Sequence, residues 1–136
     1  MLEHLNSIAS APQRVVIIGA GGFIGGTCLE RLREESVPVL SLTRKEIDLL
    51  EEGATEKLTE HLLPSDALIV VSAKAPVKNN EMLLDNIAMM KSVCDALEQC
   101  TVSQVVYISS DAVYADSVPP LTEESSAEPG SLHGVM

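Results

Sequence analysis

Residues 14–26 read RVVIIGAGGFIGG, a β-branched apolar run that meets Gly19 and passes through Gly22 and Gly25 into a segment with helical spacing. Such a run suits a strand buried on both faces, and the glycines after it mark a tight strand-to-helix turn. Gly19 ends the strand, Gly22 and Gly25 follow at intervals of three, and Phe23 and Ile24 begin the helix. The turn must be tight, the backbone must admit a close neighbour, and the helix must pack closely on the strand. Each demand favours a residue without a Cβ. The first N–H groups of the helix have no partner within it, so they suit an anion, a pyrophosphate above all. A P-loop uses a helix start in the same way but needs Gly-Lys-Ser/Thr, and Gly25-Gly26-Thr27 has no lysine. The form G-x-G-x-x-G would require glycine at position 24, where Ile24 stands; the form present is G-x-x-G-x-x-G.

Working outward, VPVLSLTR (37–44), DALIVVSA (66–73) and VSQVVYISS (102–110) repeat the short apolar run, and EIDL (46–49) could add a small extra strand. Helical spacing lies between them, at Ile24, Cys28 and Leu32, then Ala54, Leu58 and Leu62, then Leu83, Ile87, Met90, Cys94 and Leu97. Strand alternating with helix means βαβ units, so the expected fold is α/β, a Rossmann-type doubly wound parallel sheet of order 3-2-1-4-5 with EIDL counted third. Residues 1–13 form a polar lead-in and 14–136 the domain. Residues 115–131, ADSVPPLTEESSAEPGS, make a long acidic loop that reads either as a solvated connection or as the border of a site.

The composition narrows the function classes. Net charge is −11, which repels phosphate backbones and anionic membranes, and no Lys/Arg cluster offsets it. No nucleic-acid or membrane partner is expected, whereas a small nucleotide ligand is compatible with a locally positive site. The longest apolar runs are strand-length, and the lead-in lacks the pattern of a signal peptide. Cys28, Cys94 and Cys100 show no paired spacing, and His4, His61 and His133 are too scattered for zinc, so a reduced, cytoplasmic protein without a metal is expected.

The glycine turn together with YISSDAVYA (107–115) resembles the extended short-chain dehydrogenase/reductase family, the NAD(P)-dependent epimerases, dehydratases and reductases of nucleotide sugars. The resemblance runs from about Arg14 to the end of the chain. It implies a cofactor held over Gly19, Gly22, Phe23, Ile24 and Gly25. Dinucleotide folds place an acid after the second strand for the ribose hydroxyls, or an arginine for a 2′-phosphate. Here Thr43, Arg44 and Lys45 occupy that place, which favours NADP, with NAD as the alternative. LTRKEIDL (42–49) also resembles NADP-using deoxysugar reductases, which implies that Asp48 bonds the adenine amino group with Leu49 beside it. Ser72, Ala73 and Lys74 match the segment that lines the ribose and pyrophosphate. Asn86 matches an asparagine that steadies the loop before its helix and approaches the cofactor.

The same resemblance implies a catalytic half. Ser110 takes the role of the serine that orients a substrate hydroxyl or carbonyl, Ser109 lies beside the cofactor, and Asp111 stands where some dehydratases carry a reacting acid. EPGSLHGVM (128–136) matches the family's P-x-S-x-Tyr-Gly-x-x-Lys helix start, with His133 where the tyrosine belongs and the lysine position, 137, beyond the sequence. An imidazole is a competent proton acceptor near neutrality but differs in shape from a phenol. The expected whole is therefore the cofactor-binding part of an oxidoreductase, epimerase or dehydratase. It is truncated before the sixth strand and substrate domain and inactive alone, with a homodimer as the candidate assembly of the full-length protein. A nucleotide sugar is the implied small-molecule substrate. The rival reading is a non-catalytic dinucleotide-binding sensor or regulatory module without the Tyr–Lys pair.

Overall fold

The computed structural model describes residues 10–115 and 120–136; the rest of the lead-in and residues 116–119 of the acidic loop lie outside the described residues. Strands β1 (Arg14–Ile18), β2 (Val39–Leu42), β3 (Asp66–Val70) and β4 (Gln104–Tyr107) alternate with helices α1 (Phe23–Glu34), α2 (Ala54–His61) and α3 (Asn80–Gln99). A 3-10 turn (Asp111–Val113) and a single helical turn, α4 (Leu132–Val135), complete the described elements. The sheet has four parallel strands in the order β2-β1-β3-β4.

Burial follows the period of two that a covered sheet demands. Val16, Ile18, Leu68 and Val70 face one layer with Leu58 and Leu62 of the α2 segment and Met89, Val93 and Ala96 of α3. Val15, Ile17, Ala67 and Ile69 face the other, against Cys28, Leu29 and Leu32 of α1. At the lower edge the buried carboxylate of Asp66 accepts from Arg14 Nε at 2.9 Å and Nη2 at 2.7 Å, and from Leu63 N at 2.7 Å. Arg14 Nη2 also donates to His61 O at 2.8 Å, so one ion pair ties the beginnings of β1 and β3 to the end of α2.

Two expectations are corrected. EIDL forms no strand. Thr43–Glu46 is a reciprocal cap in which Glu46 Oε2 accepts from Thr43 N at 2.8 Å and from Thr43 Oγ1 at 2.5 Å, while Thr43 Oγ1 accepts from Lys45 N at 3.2 Å. Asp48 Oδ1 accepts from Leu50 N at 3.1 Å, closing a second turn, and Ile47 and Leu49 pack into the core from these turns. The sheet order is accordingly the expected one without its third member. The buried face of α3 is also rotated from the expected stripe: Asn86, Met89, Val93 and Ala96 are buried, whereas Ile87 and Cys94 are exposed. The structure buries the polar Asn86 because its amide serves the neighbouring loop.

All four residues of β4 are exposed, and α4 is too short to hold itself by helical hydrogen bonds. It is fixed by its cap, Ser131 Oγ accepting from Gly134 N at 3.2 Å, and by close packing on the 3-10 turn. A Cβ on Gly134 would overlap Ala112 O.

Candidate dinucleotide site

Register brings the upper ends of the strands into one line: Ile18 lies beside Leu42 on one side and Val70 on the other, and Val70 beside Tyr107. The segments that follow, at 19–25, 43–50, 71–77 and 108–110, therefore gather along one edge. The chain leaves β1 toward β2 on one side and later reaches β3 on the other, so a crevice opens above β1, where such sheets bind ligands.

The glycine turn forms the floor of that crevice. Gly19 has φ +93°, and a Cβ there would press on Ser72 N and Oγ, each at 2.9 Å. A Cβ on Gly25 would overlap Gly19 O, so the chain itself excludes a side chain at both positions. Gly22 differs: its Cβ would meet only Gly19 O at 3.5 Å, an ordinary contact. Nothing in the chain demands glycine there, but a ligand lying on the backbone would. Gly22 is also the N-cap of α1 and offers no side-chain cap, leaving the first N–H groups for a ligand.

Two cavities meet over this floor, sharing Gly19, Gly22, Ser72 and Ala73. The first, about 760 Å³, adds Phe23, Ile24, Gly25, Ser109, Ser110 and His133. The second, about 750 Å³, adds Thr43, Arg44, Asp48, Leu49 and Lys74. Every candidate residue of the sequence except Asn86 and Asp111 lines one or both. Asn86 acts through the backbone: Oδ1 accepts from Lys74 N at 2.8 Å, and Nδ2 donates to Lys74 O at 3.1 Å and to Met82 O at 2.8 Å. It thus pins the loop after β3 to α3.

The second cavity carries most of the charge. Arg44 Nε donates to Asp48 Oδ2 at 2.8 Å, with the arginine side chain 74% exposed. The Leu50 N–H and the Arg44 guanidinium hold the Asp48 carboxyl below its ordinary range. The Thr43 hydroxyl and N–H do the same for Glu46, an exposed group. Lys74 Nζ pairs with Asp85 Oδ2 at 2.6 Å. Asp48 is therefore already engaged, which the sequence did not disclose, and Lys74 is anchored beside the cavity. Ser92 Oγ donates to Leu49 O at 2.9 Å, tying this wall to α3.

In the first cavity Ser110 caps the 3-10 turn, its Oγ accepting from Ala112 N at 3.2 Å and donating to Asp111 Oδ1 at 3.2 Å. Tyr107 and Val113 line it too. The sequence reading missed the cap that Glu46 supplies, although its signal, Thr-x-x-Glu, was present. It also missed Gly134, whose need arises only from a tertiary contact. Among the described residues no His/Cys/Asp/Glu group could hold a metal ion, and no helix is long and apolar enough to cross a membrane.

The profile described as the NAD dependent epimerase/dehydratase family matches residues 15–135. Among curated proteins, the spore coat polysaccharide biosynthesis protein SpsK of Bacillus subtilis (strain 168) is 25% identical over 126 residues, covering 89% of this chain and 44% of its own length. The ADP-L-glycero-D-manno-heptose-6-epimerase of Helicobacter pylori superposes with a TM-score of 0.74 at 17% identity, over 91% of this chain and 47% of that one. MoeE5, solved in complex with UDP-glucose and NAD, gives a TM-score of 0.72 at 22% identity, over 90% of this chain and 44% of that one. The chain thus spans about half the length of these relatives.

Proposed function

The chain belongs to the NAD dependent epimerase/dehydratase family, and from that premise we propose that it is the cofactor-binding portion of an oxidoreductase, epimerase or dehydratase acting at a hydroxyl or carbonyl carbon of a nucleotide sugar. The observation that carries this reading is the paired cavity over an uncapped helix start, with Gly22 free of any requirement from the chain itself. Two connected chambers joined at an anion-binding floor suit a ligand with two nucleoside-like ends and phosphates between them. The adenosine end belongs in the chamber of Thr43, Arg44, Asp48, Leu49 and Lys74, and the reacting end in that of Ser109, Ser110 and His133. The bound dinucleotide supplies reversible hydride transfer. Ser110 orients the substrate oxygen by exchanging its bond to Asp111 for one to the ligand, and Ala73 and Ile24 wall the reacting end. That relatives' names refer to nucleotide sugars, and that MoeE5 was solved with UDP-glucose and NAD, supports the substrate class.

For the cofactor, Arg44 favours NADP: its exposed guanidinium can hold a 2′-phosphate while the cap at Thr43–Glu46 keeps the turn rigid. Titration of the purified chain with NADPH and NADH, followed by nicotinamide fluorescence, tests this. Tighter NADPH binding is expected, reduced about tenfold or more by Arg44→Ala, the worth of a charge-assisted hydrogen bond. NADH binding should be little affected. Preference for NADH would sink the Arg44 assignment but not the fold. A second reading, a dinucleotide-binding module without turnover, is favoured by one observation: His133 stands where the family's tyrosine belongs. Conversion of any nucleotide sugar by the chain would exclude it.

A further inference from the structure

We propose that Asp48, with Glu46 beside it, is a specificity-determining counter-charge that holds down the preference of the adenosine chamber for a 2′-phosphorylated dinucleotide. The inference rests on the dinucleotide reading above and concerns the groups that would meet the 2′-phosphate. Three donors of the segment after β2 already carry a carboxylate of the chain. Glu46 Oε2 accepts from Thr43 N at 2.8 Å and from Thr43 Oγ1 at 2.5 Å, and Asp48 Oδ2 accepts from Arg44 Nε at 2.8 Å. Arg44, Lys45, Glu46 and Asp48 line the chamber together, so two cations of this segment stand against two carboxylates. Lys74, across the chamber, has its own partner in Asp85 at 2.6 Å. The segment therefore bears the residue types that hold a phosphate but offers it no net positive charge.

The two carboxylates differ in what holds them. Glu46 is exposed, where solvent weakens its field. The Asp48 side chain is only 20% exposed, with Oδ1 fixed by Leu50 N at 3.1 Å, so it stays in place when an anion enters. The Arg44 side chain, 74% exposed, is free to turn toward a ligand. A phosphate monoester carries about −1.5 to −2 charges near neutrality. It is attracted by Arg44 and repelled by the carboxylate already on that guanidinium. An ion pair with so exposed an arginine restrains it little, so the repulsion that Asp48 adds outweighs any help it gives by orienting Arg44. A bond from Asp48 to the adenine amino group would be made equally with either dinucleotide and cancels when the two are compared.

Affinities of the purified chain for NADPH and NADH are measured by nicotinamide fluorescence at ionic strengths of about 0.01 M and about 0.15 M, where the Debye length is about 30 Å and about 8 Å. Asp48→Asn keeps an acceptor for Leu50 N and removes the charge. It should raise the ratio of NADPH to NADH affinity about three- to tenfold at the lower ionic strength, and by less at the higher. Asp48→Glu, which keeps the charge, should stay near the wild-type ratio. Glu46→Gln, which keeps an acceptor for Thr43, should raise the ratio about two- to threefold, and it decides the matter if Asp48→Asn fails to fold. An unchanged ratio in the neutral variants, or a rise that salt does not diminish, overturns the proposal alone. A fall in Asp48→Asn also overturns it, and would show that Asp48 holds Arg44 ready for the phosphate. Binding of neither dinucleotide to the wild-type chain overturns it together with the dinucleotide reading.

Discussion

Gly22 and Gly25 stand three residues apart in one turn, yet a methyl group added to each would meet different things. On Gly25 it overlaps Gly19 O, backbone that cannot step aside without moving the strand end. Gly25→Ala is therefore expected to destabilise the fold by about 1–3 kcal/mol, the usual cost of overpacking, read as a lowered urea midpoint with unchanged slope. On Gly22 the methyl meets only Gly19 O at 3.5 Å. Gly22→Ala should leave the midpoint within about 0.5 kcal/mol and lower dinucleotide affinity about tenfold or more, because the ligand would occupy the space the methyl fills. Equal loss of stability in both variants would show that Gly22 serves packing and not a ligand.

Between elements, the lower and upper edges of the sheet are held by different chemistry. Below, Asp66 is fully buried beside Arg14. Burial alone would raise its carboxyl, but the Arg14 guanidinium and the Leu63 N–H outweigh it and hold the group below its ordinary range. In the acidic window the unfolded chain binds the proton that the folded chain refuses, so stability rises with pH there. The contribution is present above the unfolded value of ~3.9 and is lost as pH falls through the lower folded one. Asp66→Ala leaves the half-buried Arg14 guanidinium and Leu63 N without their partner and should cost about 1–3 kcal/mol at pH 7, with the wild-type excess shrinking below pH 4 in urea titrations at stepped pH. Above, Asn86 fastens the loop after β3 to α3. Asn86→Ala strands the Lys74 N–H and carbonyl and should cost about 1–3 kcal/mol, with local amide exchange at 72–77 rising more than in β1. Uniform exchange across both segments would show the loop to be held elsewhere. This contrast also explains what the sequence disclosed. The four strands were legible because β-branched runs buried on both faces have few alternatives, and so was the glycine turn, whose steric demands are local. The face of α3 was not, since Asn86 is buried by a loop contact twelve residues away in sequence that no apolar periodicity records. EIDL misled because Ile47 and Leu49 are buried from turns rather than from a strand. Most of the candidate site residues line the crevice because they lie just past the upper end of a strand, whereas His133 reaches it from α4. The engagement of Asp48 by Arg44 was hidden, because pairing at that spacing in a turn depends on where the backbone carries both side chains.

At the scale of the whole molecule, acidity and an uncovered apolar rim oppose each other. Val105, Val106, Tyr107 and Ile108 along β4 are exposed, as are Phe23 and Val135 nearby around the first cavity. An exposed apolar edge strand invites pairing with another chain, whereas a net charge of −11 holds copies apart when ions are scarce. Raising salt shortens the Debye length from about 30 Å at 0.01 M to about 3 Å at 1 M, removing the repulsion while leaving the apolar attraction. Self-association in sedimentation velocity should therefore grow with salt. Val105→Lys, at a half-exposed position, should weaken that growth while changing folding stability by no more than about 0.5 kcal/mol. Association that instead falls with salt would identify an ion-paired contact between copies. Growth unchanged by Val105→Lys would clear the β4 edge and leave the exposed apolar face of α3, with Leu84 and Ile87, as the surface that brings copies together.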